Sequence, residues 1–243
     1  MYPTKDEIYR RLDELIPVSQ RCEWDNDGLM IRGEGECRRA LLALDVTAET
    51  VKYASENGYD AIISHHPMIF RPLKSVTDSR VIECVRRGIA VMSFHTRLDA
   101  NFPGVNDALA EALGLRDVEV HDMIRAGAAD ISGLAAFARH VGRSLSAPDV
   151  RYSGSSEVRR VAVLGGSGKD FIQDVISLGC DTYVTGEMSY NSVCDAADAG
   201  LNVIEAGHYY TEAPVLGLLG KMISDGWPDV FIGYFDSDPQ KTV

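Results

Sequence analysis

The first hundred residues alternate between short apolar runs and amphipathic segments. The apolar runs are ALLALDV (40–46), DAIIS (60–64) and IAVMSF (89–94), and such near-continuous runs are typical of strands that are covered on both faces. The segments between them have helical spacing and stop at Gly58 and Gly88, as many helices stop at a glycine. Strands and helices that alternate in this way predict an α/β fold with a mainly parallel sheet.

The N-terminal segment predicts a helix with defined ends. Thr4 and Glu7 have the spacing of a capping box. Apolar residues then recur at helical spacing from Ile8 to Ile16, and Pro17 ends the helix.

The second half of the chain follows the same scheme. Its apolar runs are RRVAVLGG (159–166), DTYVTG (181–186) and LNVIEAG (201–207), with helical segments between them. We therefore predict two α/β repeats, residues 1–125 and 126–243, that form one compact protein.

The stretch between the halves, residues 117–158, is less regular. We expect a helix in SGLAAFARHVGRSL and a connector in SAPDVRYSGSSEVRR.

Two pairs of segments align between the halves. GYDAIISHHPMIF (58–70) matches GCDTYVTGEMSYN (179–191) without gaps, and GIAVMSFHTRLDA (88–100) matches GLNVIEAGHYYTEA (200–213) with one extra residue in the second copy. The strand pattern alone is equally consistent with two unrelated βαβ units. The second match, however, gives each half a His-x-x-x-carboxylate pattern after a strand, and this favours a duplication.

Composition and charge narrow the functional classes. Of 243 residues, 45% are apolar and 25% are charged, and the net charge of −12 argues against broad binding to nucleic-acid phosphates. The five cysteines include no C-x-x-C pair, so we expect reduced thiols in a cytoplasmic protein. The N-terminus lacks the apolar core of a signal peptide, and no apolar run approaches the length of about 18 residues that suggests a membrane span.

Four histidines follow predicted strands: His65, His66, His95 and His208. In open α/β sheets, ligands bind beyond the carboxyl ends of the strands. A single histidine at a strand end is more often structural, whereas two adjacent histidines together with two His-x-x-x-acid pairs favour a metal site. Adjacent side chains of an extended strand point to opposite sides, so His65 and His66 can reach two ions, or one ion and a wall, only if the strand ends there. Pro67 favours such an end because it cannot continue a strand.

The acidic donors are Asp99 and Glu212, each four residues after a histidine. His208 and Glu212 lie on one face if a helix begins there, whereas we expect RLDANFPG, after His95, to form a loop. The chain thus offers five donors, with His95 nearby: His65, His66, Asp99, His208 and Glu212. Five donors exceed what one tetrahedral ion needs and suit two ions about 3.5–4 Å apart. We expect Glu212 to bridge the ions, which are Zn, Fe, Mn, Ni or Co by donor type.

Eight segments together carry a family resemblance that covers most of the chain. They are WDNDGLMI (24–31), ALLALDVT (40–47), DAIISHHPMIF (60–70), HTRLDA (95–100), GVNDALAEALGL (104–115), VAVLGGSG (161–168), DTYVTGEM (181–188) and EAGHYYTE (205–212). In this order they resemble the Ngg-interacting-factor-three-like proteins, also called the GTP cyclohydrolase 1 type 2 family of dinuclear-metal-centre proteins. The doubled histidine, H-T-x-L-D and G-H-x-x-T-E are specific as a set.

The resemblance implies two intertwined, duplicated α/β halves with mixed, mainly parallel sheets, in the short form of the family and commonly as a ring-shaped homohexamer. It places a two-metal site at the carboxyl ends of strands between the halves, with His95 close to the metals. The implied metal ligands are His65, His66, Asp99, His208 and Glu212. Arg97 stands where the family usually has the asparagine of H-T-N-L-D, and Glu187 and Asn191 stand in a frequent acid-then-histidine pattern. We expect these departures to affect the choice of substrate more than metal binding.

The site residues suggest a dinuclear metal-dependent hydrolase, and the resemblance suggests GTP ring opening as its reaction. We assign catalytic roles to Glu212, as the bridging carboxylate, and to His95 and Glu187, as proton carriers. A hydrolase of other nucleotides or of phosphoesters would use the same site. The alternative from another class is a non-catalytic metal-binding protein with a regulatory or interaction role. As partners we expect a small-molecule substrate such as a nucleotide, and neither a membrane nor bulk nucleic acid.

Three further features have two interpretations each. GGSG (165–168) is either a tight turn between strand and helix or a phosphate cradle. WDNDG (24–28) is either a packed loop or part of the rim of the metal site. Glu187 matches His66 in the aligned segments, and it either faces the same cleft or has a structural role.

Overall fold

Two β-sheets, each in a separate unit, organise the chain in the computed structural model, which describes residues 1–155 and 157–240. Unit 1 comprises Met1–Asn101 and Leu216–Gln240, and unit 2 comprises Phe102–Val215. The units differ in extent from the two predicted repeats, since the chain enters unit 2 well before residue 125 and returns to unit 1 for its last strand.

The described residues form helices and strands that we number in chain order. The helices are α1 (Lys5–Leu15), α2 (Ala48–Glu56), α3 (Ser79–Arg87), α4 (Thr96–Ala100), α5 (Val105–Ala112), α6 (Leu134–Leu145), α7 (Ile172–Ser177), α8 (Tyr190–Asp198), α9 (His208–Glu212) and α10 (Val215–Ser224). The strands are β1 (Gly28–Ile31), β2 (Arg39–Ala43), β3 (Ala61–Ser64), β4 (Ala90–Ser93), β5 (Arg116–His121), β6 (Ile124–Ala128), β7 (Arg151–Ser153), β8 (Arg160–Ser167), β9 (Thr182–Glu187), β10 (Asn202–Glu205) and β11 (Phe231–Phe235).

The sheet of unit 1 has the strand order β1-β4-β3-β2-β11. Only β1 is antiparallel to its neighbour among these paired strands. Leu41, Ile62 and Val91 of the three inner strands share one buried cluster with Val51 of α2 and Val81 of α3. The apolar runs therefore correspond to buried parallel strands, as predicted.

The predicted helix ends of unit 1 are confirmed. The Thr4 hydroxyl accepts a hydrogen bond from the backbone N–H of Glu7 at 3.2 Å, and the Glu7 carboxylate accepts one from the backbone N–H of Thr4 at 2.7 Å. Helix α3 ends before Gly88, whose φ of 66° is left-handed and favours glycine.

The sheet of unit 2 has the strand order β5-β6-β8-β9-β10-β7. Its central strands β8, β9 and β10 are parallel, whereas β5, β6 and β7 pair in antiparallel fashion. The α/β fold with mixed sheets is thus confirmed, with the parallel strands at the centre. Strand β7 lies in the segment predicted as a connector, of which Ser156 lies outside the described residues, and it pairs with β10.

Strand β8 separates two buried clusters in unit 2. Val161 and Val163 point into the cluster that contains Phe137 of α6, whereas Ala162 and Leu164 belong to the cluster on the other face. This alternation follows from the two-residue period of a strand. It explains why the run VAVL is apolar at every position.

Two local predictions need correction. The segment after His95 is not a loop throughout, because α4 occupies Thr96–Ala100. The first of the helical segments expected between the apolar runs of the second half begins with a 3-10 turn at Lys169–Phe171 before α7. Within the described residues, no helix has the length and apolar character that crossing a membrane requires.

Candidate metal centre

The carboxyl ends of β2, β3 and β4 meet at one edge of the unit 1 sheet. Ala43 of β2 pairs with Ser64 of β3, which pairs with Ser93 of β4. The hydroxyls of Ser64 and Ser93 are 2.8 Å apart and hydrogen-bonded. The residues that follow these three strands therefore leave the sheet from the same edge, and three predicted site histidines are among them.

His65 is buried, and its ring orientation is fixed by a backbone carbonyl. Its Nδ1 lies 2.9 Å from the carbonyl oxygen of Phe94. Because a carbonyl oxygen can only accept, Nδ1 carries the proton and Nε2 of the neutral ring carries the lone pair. Nε2 lies 3.6 Å from Oδ1 of Asp99.

His66 has a carboxylate partner that the sequence analysis did not identify. Its Nδ1 lies 2.8 Å from Oδ1 of Asp45, which follows β2. Asp45 is held in turn by its backbone N–H, which donates to the Ser237 hydroxyl, and by its carbonyl, which accepts from Thr50. The carboxylate favours the same tautomer in His66 as in His65, with the lone pair on Nε2.

His95 follows β4 and is held by two acidic residues from the segment before β1. Its Nδ1 lies 2.9 Å from Oδ1 of Asp25, and its backbone N–H donates to Oδ2 of Asp27 at 3.0 Å. Burial raises the pKa of Asp25, but hydrogen bonds from His95 and Thr96 outweigh this effect and lower the pKa to about 2. Asp25 therefore remains a carboxylate, which acts as a hydrogen-bond acceptor for His95.

The three histidines of unit 1 form one cluster. The ring centroids are 4.9 Å apart for His65 and His66, 5.3 Å for His65 and His95, and 5.6 Å for His66 and His95. One ring nitrogen from each residue lies within 4.8 Å of the other two. Three imidazoles at this spacing are a plausible donor set for a metal ion.

Helix α4 brings Asp99 back toward this cluster. It begins directly after His95, and the backbone N–H of Asp99 donates to the His95 carbonyl at 3.3 Å. One helical turn thus places the carboxylate near Nε2 of His65. The spacing of His95 and Asp99 therefore corresponds to one helical turn, where a loop was expected from the sequence.

Unit 2 holds its own histidine–carboxylate pair at the two ends of α9. Nε2 of His208 lies 3.2 Å from Oε2 of Glu212, which is buried. Nδ1 of His208 lies 3.1 Å from Oε1 of Glu187 at the end of β9. Glu187 therefore positions the ring of His208 through this hydrogen bond, and its side chain is more than half exposed.

The lack of a side chain at Gly166 leaves room for the carboxylate of Glu212. Gly166 has a left-handed φ of 68°, which a residue with a Cβ rarely adopts. A Cβ there would overlap Oε1 of Glu212 and lie 3.2 Å from Nε2 of His208. The backbone of β8 thus approaches the donor pair as closely as only glycine permits.

The GGSG segment already uses its backbone N–H groups inside the protein. Gly165 donates to the Asn106 side chain, Gly166 to the Thr211 hydroxyl and Gly168 to the Glu187 carbonyl. A phosphate cradle needs several such groups directed at the ligand. The structure therefore favours the turn interpretation of this segment.

Within each unit, the predicted site residues form a set of neighbouring side chains. His65, His66, His95 and Asp99 come together in unit 1. Glu187, His208 and Glu212 come together in unit 2. The two other histidines make separate contacts: Nε2 of His121 lies 3.1 Å from Glu119, and Nε2 of His140 lies 2.9 Å from the Leu113 carbonyl.

Sequence reasoning did not assign Asp25 and Asp45 as partners of histidines. Both lie in motifs that it did single out, WDNDG and ALLALD, and both are acidic residues next to a strand. The position of Asp45 just after β2, at the same edge of the sheet as the histidines, could have predicted its contact with His66.

These contacts fit a metal site. Metal-binding histidines usually donate their second ring N–H to a carboxylate or a carbonyl, which fixes the tautomer and the ring orientation. All four site histidines have Nδ1 against such an oxygen. The nitrogen and carboxylate donors suit Zn, Fe, Mn, Ni or Co.

Known proteins match this chain over most of its length. The model of the family Duf34/NIF3 (NGG1p interacting factor 3) matches residues 3–238. A Clostridium perfringens protein named GTP cyclohydrolase 1 type 2 homolog is 31% identical over an alignment of 229 positions, which covers 87% of each chain. A Deinococcus radiodurans protein of the same name is 31% identical and is matched over 95% of this chain and 93% of its own.

A solved structure has the same fold. A Bacillus cereus protein related to NIF3 superposes with a TM-score of 0.90 over all of both chains, at 26% identity. The family model, the two relatives and this structure all cover both units. The chain therefore belongs to the DUF34/NIF3 family.

Proposed function

We propose that this protein is a metal-dependent hydrolase in which His65, His66, Asp99, His208 and Glu212 hold two divalent cations. The observation that carries the proposal is the pairing of ring nitrogens with carboxylates. In a neutral His65, the lone pair of Nε2 faces the Asp99 carboxylate, because Nδ1 carries the proton. Two acceptors that face each other need a shared cation between them.

The distances support a metal ion over a proton as that cation. A charged N–H···O⁻ hydrogen bond measures about 2.7–2.9 Å, whereas two ligands about 2.0–2.1 Å from a tetrahedral ion are about 3.3 Å apart. The observed separations are 3.6 Å for His65 and Asp99 and 3.2 Å for His208 and Glu212. Both are closer to the spacing of two metal ligands.

The protein's own residues then have distinct tasks. A pair of divalent cations supplies Lewis acidity, which lowers the pKa of a nearby water and polarises the attacked bond. Asp25 holds the proton of His95 on Nδ1, so His95 can exchange a proton at Nε2. Glu187 orients His208 and, being exposed, can pass a proton to solvent. Glu212 is proposed to bridge the two cations.

GTP ring opening is the proposed reaction, on the strength of the name that the relatives carry. One water adds to the carbon between the two imidazole nitrogens of guanine and opens the ring to a formamide. A second water releases formate. Both steps are hydrolyses and require no redox partner.

The test combines metal analysis with product analysis. Protein purified without chelator is expected to contain close to two divalent ions per chain and to release formate from GTP. Glu212→Gln should lose metal and formate release, whereas Glu111→Gln, an exposed glutamate on α5, should retain both. Metal content and turnover that are unaffected by Glu212→Gln would contradict the proposal.

Whether the two sets of donors serve one pair of ions is a separate measurement. Manganese-loaded protein should give the electron paramagnetic resonance spectrum of a spin-coupled pair. His65→Ala should convert it to the spectrum of an isolated ion. Two isolated ions in the wild-type protein would refute a shared centre.

A metal-binding interaction protein is the second candidate. The family description itself, NGG1p interacting factor 3, favours it. This alternative predicts bound metal, no turnover across a panel of nucleotides, and a partner protein that depends on the metal ligands. The homohexamer stays a prediction, which light scattering of the purified protein tests.

A further inference from the structure

Two exposed aromatic rings lie side by side in unit 1. Trp24 precedes β1 and is 63% exposed, and Phe70 follows the His-His-Pro segment and is 46% exposed. Their ring centroids are 6.0 Å apart. The Asn26 side chain donates to the Ile69 carbonyl and so ties the two segments together. Large aromatic side chains that are exposed and also fixed in place indicate a binding surface.

The pair lies next to the histidine cluster. The His95 ring is edge-on to Trp24 at 6.1 Å and 76°, and edge-on to Phe70 at 6.4 Å and 78°. A molecule in contact with Trp24 would thus bind next to His95, a residue of the candidate metal centre. The WDNDG segment therefore contributes two residues next to His95: the buried Asp25, which contacts its Nδ1, and the exposed Trp24, which contacts its ring edge-on.

Two cations lie within four residues after Phe70 in the chain. Arg71 and Lys74 are exposed, and neither forms an ion pair with any residue in the ranges 1–155 and 157–240. The protein as a whole carries a net charge of −12. Basic side chains that are not neutralised by neighbouring acids are suited to bind phosphate.

We propose that Trp24 and Phe70 form a stacking surface for the base of a nucleotide and that Arg71 and Lys74 contact its phosphates. The inference deepens the proposed function, on which it rests, by assigning the residues that recognise the substrate. Nucleic-acid bases stack on aromatic side chains without regard to their hydrogen-bonding pattern. Specificity for one base therefore comes from other contacts.

The spacing of the rings determines how the base binds. Stacking on two sides requires about 7–8 Å between the flanking rings, since each layer takes about 3.5–4.0 Å. The 6.0 Å between Trp24 and Phe70 is too small for a base between them. The base accordingly stacks on the exposed face of Trp24, with Phe70 supporting the indole from the side.

Calorimetric titration with three probes separates the two parts of this surface. The probes are GTP, guanosine and inorganic tripolyphosphate, and the metal content of each variant is measured in parallel. Trp24→Ala should raise the Kd for GTP and guanosine about tenfold with unchanged metal content, and Trp24→Phe should restore most of the affinity. Arg71→Ala with Lys74→Ala should raise the Kd for GTP and tripolyphosphate, but not for guanosine.

Matched variants control for general effects of exposure and charge. Tyr190→Ala removes an aromatic side chain that is 82% exposed in unit 2, and Arg139→Ala with Arg143→Ala removes two exposed cations of α6. Both should leave all three Kd values unchanged. Equal losses in these controls, no effect of Trp24→Ala, or no guanosine binding by the wild-type protein would overturn the inference.

The outcome is separable from that of the proposed function. If the wild-type protein lacks metal or turnover while Trp24→Ala still weakens guanosine binding, the hydrolase proposal fails and the stacking surface stands. If turnover is normal in Trp24→Ala at every GTP concentration, the stacking surface fails and the hydrolase stands. A change in self-association without a change in Kd would assign the aromatic pair to a protein interface and refute the proposal.

Discussion

Arg97 and Asp27 form a buried ion pair next to His95. Nε of Arg97 lies 3.0 Å from Oδ2 of Asp27, and the two side chains are 1% and 0% exposed. The same Oδ2 accepts the backbone N–H of His95, and Arg97 also contacts Asp13 of α1. Arg97 thus connects α1 and the segment before β1 to the turn that carries His95.

Arg97→Ala should lower the free energy of unfolding by about 3 kcal/mol, because the Asp27 carboxylate would stay buried with only the longer contact to Arg21, at 3.5 Å, as its cation. Arg116→Ala removes a pair whose side chains are 58% and 68% exposed and should cost less than about 1 kcal/mol. Urea unfolding of both variants measures the difference. Similar decreases in the free energy of unfolding of the two variants would show that burial of the Arg97 ion pair does not increase its contribution to stability.

Asp45→Ala should weaken metal binding about 10- to 100-fold, because His66 would lose the acceptor that orients its ring. Competition with a chelator measures the affinity. Asp149→Ala changes an exposed acid elsewhere and should have no effect. An unchanged affinity in Asp45→Ala would exclude His66 as a ligand that depends on this contact.

Gly166→Ala should reduce metal binding more than Gly179→Ala does. Both glycines have a left-handed φ, 68° and 69°, so both substitutions strain the backbone alike. Only at Gly166 would the new Cβ overlap Glu212, whereas at Gly179 nothing lies within 4 Å. Metal content per chain distinguishes them, and equal losses would mean that strain alone is responsible.

Asp25 should contribute to stability in a way that depends on pH. Its pKa is lowered from 3.8 to about 2 in the folded protein, so the contribution is complete above about pH 4 and is lost as the pH falls toward 2. This shift corresponds to about 2 kcal/mol. The free energy of unfolding of Asp25→Asn should fall less steeply than that of the wild-type protein between pH 4 and pH 2. Parallel curves would contradict the assignment.

Cysteine reactivity should follow burial. Burial raises the pKa of Cys37 to about 12 and that of Cys84 to about 11, and Cys180 is also buried. At pH 8 these thiols should react with a disulfide reagent only after unfolding, whereas the exposed Cys194 should react at once. Cys194→Ser should remove this fast phase and leave, in the folded protein, only the slower reaction of Cys22, which is partly buried. A fast phase that survives this change would contradict the prediction.

The central strands were predictable because burial leaves a continuous apolar run. Strands β2–β4 and β8–β10 are of this kind. Strand β5 is exposed along most of its length, and β7 has only three residues. Such strands depend on pairing with a neighbour and carry no periodic signal of their own.

The site was predictable as far as local spacing determines it. His208 and Glu212 occupy one helical turn, so their proximity follows from the sequence, whereas the turn that carries Asp99 was expected to be a loop. The contacts of Asp25 with His95 and of Asp45 with His66 join residues 70 and 21 positions apart. Only the three-dimensional arrangement of the segments reveals such partners.

The parallel pairing of β11 with β2 has a consequence for biosynthesis. Strand β2 pairs with β3 on one side, but its neighbour on the other side, β11, is synthesised 192 residues later, after all of unit 2. Unit 2 can therefore fold first, during translation, while the earlier half of the nascent chain still lacks an edge strand. A premature stop between residues 216 and 230 would leave unit 2 complete and would deprive unit 1 of β11.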